Sequence, residues 1–514
     1  MNGAVPKRRR FTVISLVFQY ISLALSMGQG FILVPLFLQY LSLPVYGAWL
    51  AMSSAAVWLT LLDPGVSAVF QQRVSAAYGR GDMASMEEAI GTGLSLNALV
   101  YVILVIAAVV AAPFLPNLIH MQGQQSRLLV DCFLLEVAAE TILALALTVA
   151  SIPISLMAFP LVLGGFYCLM TAAGMALTVW MLLRGWGLVA LPAGSLLRSV
   201  GLLAANGAIA LWTCRRTLGI RPRISRAELR AVSGLTGYSW VGRIGAGMTG
   251  ETDAFLIGHF LGPASIPIMT MTRNAADVIQ QLSSRVAAAF LPSLTHLHSQ
   301  RSAEGSREIT LRLLRIVAWT AALGFGGYLA LNERFVGLWV GPSLFGGRKL
   351  MLLFAGLLLW QATGRALSNV LFGLGCIRET GIAAAVEAAL RAAILYLMLS
   401  FSAGLTAAPA AGLIAAAATG GWIFPLLLGR ELRLSAAQFG DITRELAASS
   451  AVLAALGLAW PHLTPPPASW LAFIGQTAGF TFCGLALLAF ISRGVRSELR
   501  GAAMLLTLPR ATAS

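Results

Sequence analysis

The chain has 514 residues, of which 58% are hydrophobic and only 11% charged, with a mean hydropathy of +0.81. A soluble domain carries about 25% charged residues, so this composition excludes a soluble enzyme, a disulfide-stapled secreted module and a disordered chain. The basic excess is 35 Lys+Arg against 20 Asp+Glu, a formal +15; on a soluble protein it would point to nucleic acid, on a membrane protein to the cytoplasmic side.

A helix needs roughly 20 mostly apolar residues to cross hydrocarbon, and about 14 stretches meet that need. In chain order they are 12–34, 45–64, 89–113, 128–151, 160–184, 186–212, 234–260, 266–291, 309–331, 350–374, 381–402, 408–429, 446–463 and 470–491. No stretch alternates with period two, so the fold class expected is an all-α polytopic membrane protein, not a β-barrel. Lys7, Arg8, Arg9 and Arg10 precede the first span. They read as the flank of a start-inside helix, because the apolar run is too long for a signal peptide and ends in no small-residue cleavage site.

With the N-terminus inside, 24 of the 35 basic residues fall in cytoplasmic segments, 5 in outer segments and 6 within spans. That bias expects both termini in the cytoplasm and an even number of spans. Most of the basicity is then an orientation signal, and no nucleic-acid partner is needed. Cys132, Cys168, Cys214, Cys376 and Cys483 lie in or at the ends of spans without a CxxC, as buried reduced thiols do.

A shift of about 220 residues lays the first six spans on spans seven to twelve, a parallel repeat because six is even. Leu41-Ser42-Leu43-Pro44 falls on Leu261-Gly262-Pro263-Ala264, and the basic loop Arg73–Glu88 falls on Ser293–Glu308. The division expected is a six-helix lobe at 1–215, a second at 216–431, and two additional helices with a tail at 432–514. Two such lobes flanking a cleft are the plan of an alternating-access transporter.

Soluble-enzyme signatures fail. Gly245-Ala246-Gly247-Met248-Thr249-Gly250 matches GxGxxG but sits inside an apolar span with no strand before it, where small residues serve helix packing. The Gly-rich stretch from Gly341 to Lys349 lacks the spacing and Ser/Thr of a phosphate loop. His296 and His298 have no third or fourth ligand beside them, so neither a metal nor a cofactor is expected. With no ATPase domain, uphill work would draw on an ion gradient or the membrane potential.

Charges inside spans are costly and commonly face a cavity or a partner. Arg273 with Asp277 and Glu387 with Arg391 are i,i+4 pairs that can neutralise each other on one helix face. Arg198, Arg243, Arg285 and Arg365 have no opposite charge within one turn. Guanidinium groups bind phosphate bidentately, so these six arginines are the candidate cationic site for a phosphorylated, anionic substrate. The alternative is a cross-helix salt bridge to Glu136, Glu140, Glu251 or Asp253. Glu136 and Glu140 are like-charged at i,i+4, so either a cation sits between them or one keeps its proton. These four carboxylates are the ion-coupling candidates. Trp58, Tyr101, Trp180, Trp240, Trp360 and Trp422 within spans serve either sugar stacking or ordinary packing, and packing is the commoner use.

Several short strings resemble one family. Pro35-Leu36-Phe37-Leu38, Tyr46-Gly47-Ala48-Trp49, Leu61-Leu62-Asp63-Pro64-Gly65 and Tyr78-Gly79-Arg80-Gly81-Asp82 resemble the opening of bacterial polysaccharide flippases. These are the O-antigen and exopolysaccharide members of the multidrug/oligosaccharidyl-lipid/polysaccharide exporter superfamily. Asp253-Ala254-Phe255-Leu256-Ile257 with Leu261-Gly262, then Leu338-Trp339-Val340-Gly341, extend the likeness into the second half. Pro64 departs from the aromatic expected after Asp63, which leaves Asp63 as either a helix-end cap or a site residue.

The resemblance implies a substrate of polyprenyl-diphosphate-linked oligosaccharide, whose sugar and diphosphate cross between the lobes while the lipid tail stays in the bilayer. It also implies a bacterial cytoplasmic (inner) membrane location, with the phospholipid bilayer and glycan-assembly proteins as partners. A drug/organic-cation antiporter or a lipid II flippase of the same superfamily are the near alternatives. A membrane glycan polymerase or ligase is the alternative of a different class; the short outer loops argue against it, and the protein is expected not to be an enzyme.

Overall fold

In hydrocarbon a backbone must satisfy its own N–H and C=O groups, and the described residues do so by helices, with no strand among them. A computed structural model describes residues 4–61, 66–121, 123–230, 251–299, 303–492 and 494–498. Contacts divide the chain into two compact units, Met1–Pro267 and Ile268–Ser514. This cut follows packing, whereas the division at 215 and 431 followed the spacing of spans.

The first unit holds α1 (Ala4–Tyr40), α2 (Leu43–Leu61), α3 (Val66–Arg80), α4 (Met83–Ala111), α5 (Gln124–Ser155), α6 (Pro160–Leu183) and α7 (Ala190–Trp212), with a further helix over 251–261. Helix α8 (Ser265–Ser299) starts at its edge. The second unit continues with α9 (Ala303–Trp339), α10 (Arg348–Gly373), α11 (Ile377–Ser400), α12 (Ala407–Ala418), α13 (Gly420–Leu432), α14 (Ala436–Leu463) and α15 (Trp470–Ile491).

Among the described residues 11 helices are long and apolar enough to cross a membrane, with Leu43–Val57 a shorter apolar helix. The expected span 234–260 lies mostly outside the described residues. Helix α8 covers the expected span 266–291 but is not among the 11, because Arg273, Asn274, Asp277, Gln280 and Gln281 make its middle polar. The expected span 408–429 is two helices, broken where Thr419 takes φ −120° and ψ −90° ahead of Gly420 and Gly421. The basic stretch after α2, read from the sequence as a loop, forms α3.

Helix ends follow local chemistry. Asp82 caps α4 by accepting from the Ser85 amide at 3.0 Å and the Ser85 hydroxyl at 2.5 Å. Those two donors hold its carboxyl below the usual carboxylate range. Ser435 and Gln438 form a reciprocal capping box at the start of α14. The turn at Gly262, which needs a positive φ of 83°, ends the 251–261 helix as expected from the repeat.

Small residues let helices approach closely where lipid supplies no hydrophobic drive between them. In the first unit α6 and α7 touch at Gly174 and Gly194, where a Cβ on Gly174 would lie 2.6 Å from the Gly194 carbonyl oxygen. Asn206 of α7 donates to the Ala146 carbonyl of α5 at 3.0 Å, fixing the pair that carries the first candidate site. In the second unit α9 packs along α14, and a Cβ on Gly326 would lie 2.6 Å from the Leu453 carbonyl oxygen.

Helices α14 and α15 are also joined to α9 by polar contacts. Arg334 donates to the Thr464 hydroxyl (2.7 Å), the Gln476 amide oxygen (2.8 Å) and the carbonyls of Pro461 (2.9 Å) and Thr464 (2.6 Å). At the other end Trp319 donates to Glu445 at 2.8 Å, and Arg312 pairs with Glu498 at 2.6 Å. That pairing holds the Glu498 carboxyl below its ordinary range.

Candidate sites inside the two units

In the first unit, α5 presents Glu136 and Glu140 one turn apart, and α7 presents Ser195 and Arg198 three residues apart. The close α5–α7 packing brings the four together. The Ser195 hydroxyl donates to Glu136 Oε1 at 3.3 Å, and Arg198 Nη2 lies 3.6 Å from Glu140 Oε1. Two polar atoms of this cluster, Glu136 Oε2 and Arg198 Nε, are buried and have no hydrogen-bond partner among the described residues. An unsatisfied polar atom in a dry interior is costly. Arg198 thus has a carboxylate beside it, the cross-helix pairing that the sequence set against the anion reading.

In the second unit, the polar face of α8 carries Arg273, whose Nε donates to Asp277 at 2.7 Å, and Gln280, which donates to Gln361 of α10 at 2.8 Å. Arg365 follows Gln361 by one turn; its side chain is accessible, and both Asp277 and Glu387 lie within electrostatic reach. Glu387 of α11 accepts from the Thr419 hydroxyl at 3.1 Å and feels both Arg391 and Arg365. Arg391 is 4% exposed and packs against Gly412 of α12. Three guanidiniums and two carboxylates therefore lie within electrostatic reach of one another on α8, α10 and α11.

The turn before Arg273 is held from outside. The Thr272 carbonyl accepts from Tyr328 at 2.7 Å and Asn332 at 3.0 Å, and the Thr272 hydroxyl accepts from the Gly346 amide at 2.8 Å. Helix α9 and the 341–347 turn thereby fix the height at which α8 offers Arg273. Sequence reading had set Gly341–Lys349 aside as a failed phosphate loop; the segment serves here as a brace.

The other candidates are dispersed. Arg285 is exposed on α8, and Glu251 is half-buried. Asp253 is fully buried within the 251–261 helix, with partners of its own. Arg243, Asp63, Trp240 and the GxGxxG string lie outside the described residues. Of the aromatics, Tyr101 is buried, whereas Trp180 and Trp422 are exposed, the former under the Arg184 guanidinium at 5.4 Å. No group of three or more His, Cys, Asp or Glu able to hold a metal occurs among the described residues.

Sequence reasoning missed Ser195, Gln280, Gln361 and Thr419. Ser195 precedes Arg198 at i,i+3, and Gln361 precedes Arg365 at i,i+4, so both were visible as polar neighbours of a flagged arginine on one helix face. Thr419-Gly420-Gly421 within an apolar run was a legible break signal.

A family model described as polysaccharide biosynthesis protein matches residues 162–341. A comparison with curated protein sequences finds no match. Among solved structures, the lipid II flippase MurJ in an inward closed conformation is similar at TM-score 0.68 and 12% identity, over 93% of this chain and 98% of that one. An inward-facing MATE-family multidrug resistance transporter of the MOP superfamily is similar at TM-score 0.64 and 14% identity, over 79% and 96%. A MOP-superfamily transporter from Pyrococcus furiosus, described as having a binding pocket of reverse polarity, is similar at TM-score 0.57 and 14% identity, over 84% and 97%. At these identities the structural likeness is one of fold: the all-α polytopic membrane class expected from the sequence is found, with 11 of the expected 14 spans long and apolar enough among the described residues.

Proposed function

From a chain that carries the fold of the multidrug/oligosaccharidyl-lipid/polysaccharide exporter superfamily and a polysaccharide-biosynthesis match, we propose that it is a flippase for polyprenyl-diphosphate-linked oligosaccharide. The observation that carries this reading is the charge inside the second unit. Arg273, Arg365 and Arg391 outnumber Asp277 and Glu387, and Arg365 is accessible. A diphosphate has the charge and the planar acceptors that guanidinium groups bind. The sugar rests on the family description, and the polyprenyl tail on the sequence resemblance to polysaccharide flippases. We place the chain in a bacterial cytoplasmic membrane with both termini in the cytoplasm, on the bias of its basic residues.

A second reading has one observation in its favour. In the first unit two carboxylates, Glu136 and Glu140, face a single guanidinium, Arg198. That balance suits a cation or proton and supports an ion-coupled antiporter of organic cations. It also suits a coupling site in a flippase. Reconstitution into vesicles separates the two: accelerated translocation of labelled polyprenyl-diphosphate sugars is expected, and its absence alongside proton-driven export of an organic cation would overturn the proposal.

A further inference from the structure

A cavity of about 820 Å³ is lined wholly by residues of the first unit, none of them a member of its Glu136–Glu140–Arg198 cluster. Its walls are Ile90 and Leu94 of α4, Val149 and Ile152 of α5, and Gly207 and Leu211 of α7. These are apolar, and they belong to three helices that are long and apolar enough to span a membrane. The lining ends in Arg215 and Arg221, both exposed.

Two features of the chain shape this cavity. Past α7 the backbone loosens into a π-helical turn, Thr213–Leu218, closed by Gly219 at a φ of 66°. The following segment then folds back over the start of α4. The Arg221 amide donates to Glu87 Oε1 at 2.8 Å, the Arg223 amide to the Glu87 carbonyl at 3.0 Å, and the Ser225 amide to the Thr92 hydroxyl at 2.9 Å. The Glu87 carboxylate also lies 3.9 Å from the Arg223 guanidinium. Arg221 is thus fixed by its backbone while its own guanidinium, like that of Arg215, pairs with no carboxylate among the described residues.

We infer that this cavity is a binding site for an anionic phospholipid, with an acyl chain between α4, α5 and α7 and the phosphate on Arg215 and Arg221. Apolar walls opening onto two uncompensated guanidiniums match an amphiphile with a negative head. Basic pockets between membrane helices on the cytoplasmic side bind anionic headgroups in this way, and the distribution of basic residues puts 215–230 on that side. A cavity of this size is in the range that encloses a ligand of several hundred daltons. The inference stands apart from the transported substrate.

The test uses the full chain in phosphatidylcholine vesicles containing spin-labelled phosphatidylglycerol or spin-labelled phosphatidylcholine, reading the motionally restricted fraction. Phosphatidylglycerol is expected to be preferred by roughly 25-fold, about fivefold for each arginine. Arg215→Gln and Arg221→Gln should each reduce the preference by about fivefold, the worth of one basic side chain near a charged surface. Gly207→Phe tests the walls independently: Gly207 lines the cavity and a Cβ there meets nothing within 4 Å, so the first atom of a larger side chain is accommodated. It should abolish the preference, and Gly207→Ala should keep it. Equal retention of the two lipids by the wild-type chain would overturn the site, as would a preference that survives the Arg215→Gln/Arg221→Gln double variant. Displacement of phosphatidylglycerol by inorganic phosphate alone would also overturn it, because the acyl chain would then contribute nothing.

Discussion

The two units solve the same problem, charge inside a membrane protein, with opposite balances. In the first, Glu136 and Glu140 outnumber Arg198, and two of the cluster's buried polar atoms have no hydrogen-bond partner among the described residues. In the second, Arg273, Arg365 and Arg391 outnumber Asp277 and Glu387, and neighbouring Thr, Gln, Tyr and Asn side chains brace the elements that carry them. The difference teaches that net charge is the wrong quantity to read here. A cation or proton suits the first balance and an anion the second, and one chain that carries both can link the two.

The comparison can be broken most forcefully at its most buried charge. Arg391→Ala should cost about 3–5 kcal/mol of stability, because Glu387 would lose its same-helix cation in the interior; thermal unfolding in detergent reads it. Gly194→Leu should destabilise the first unit by about 1–3 kcal/mol, since α7 would be pushed off α6 and carry Ser195 and Arg198 with it. A melting temperature within error of wild type would show that the close contact is dispensable.

Arg365→Gln should slow translocation of a polyprenyl-diphosphate sugar by roughly tenfold, the scale of one lost charge-assisted hydrogen bond. Normal rates in vesicles would remove the second cluster from the substrate path. Glu140→Gln should abolish the dependence of transport on a pH gradient while leaving the protein inserted; an unchanged dependence would reject a coupling role for the first cluster.

The smallest effect is a control outside both clusters. Asp82 has its carboxyl held below the usual carboxylate range by Ser85, so the cap's contribution is complete above that range and fades as pH falls through the lowered value. The protection factors of amides 83–86, taken relative to the intrinsic exchange rate at each pH, should therefore fall on acidification in wild type and stay constant in Asp82→Asn.

Much of the fold was legible because long apolar runs admit one solution in a bilayer. Spans such as 128–151 and 470–491 coincide with α5 and α15 to within a few residues. The stretch 266–291 reads as an apolar span, yet the composition of α8 falls short of one because its middle is polar. Arg273 with Asp277 was read correctly as a local pair because i,i+4 geometry is set by one helix. Arg198 with Glu140 was only one of several options, since α5 and α7 meet through Asn206 and Ala146, a contact that no spacing announces. The cavity beside α7 was invisible for a similar reason: a π-helical turn and a backbone strap, not a motif, create it.

Arg334 shows how the final stretch of the chain is to be regarded. Its guanidinium is met by four oxygens of Pro461, Thr464 and Gln476, all of them neutral. Ending the chain after α13 would strip away every one of these acceptors from Arg334 of α9. The last two helices entered the sequence reading as an appendage to a repeated pair. Structurally they supply the neutral oxygens that solvate an arginine of α9.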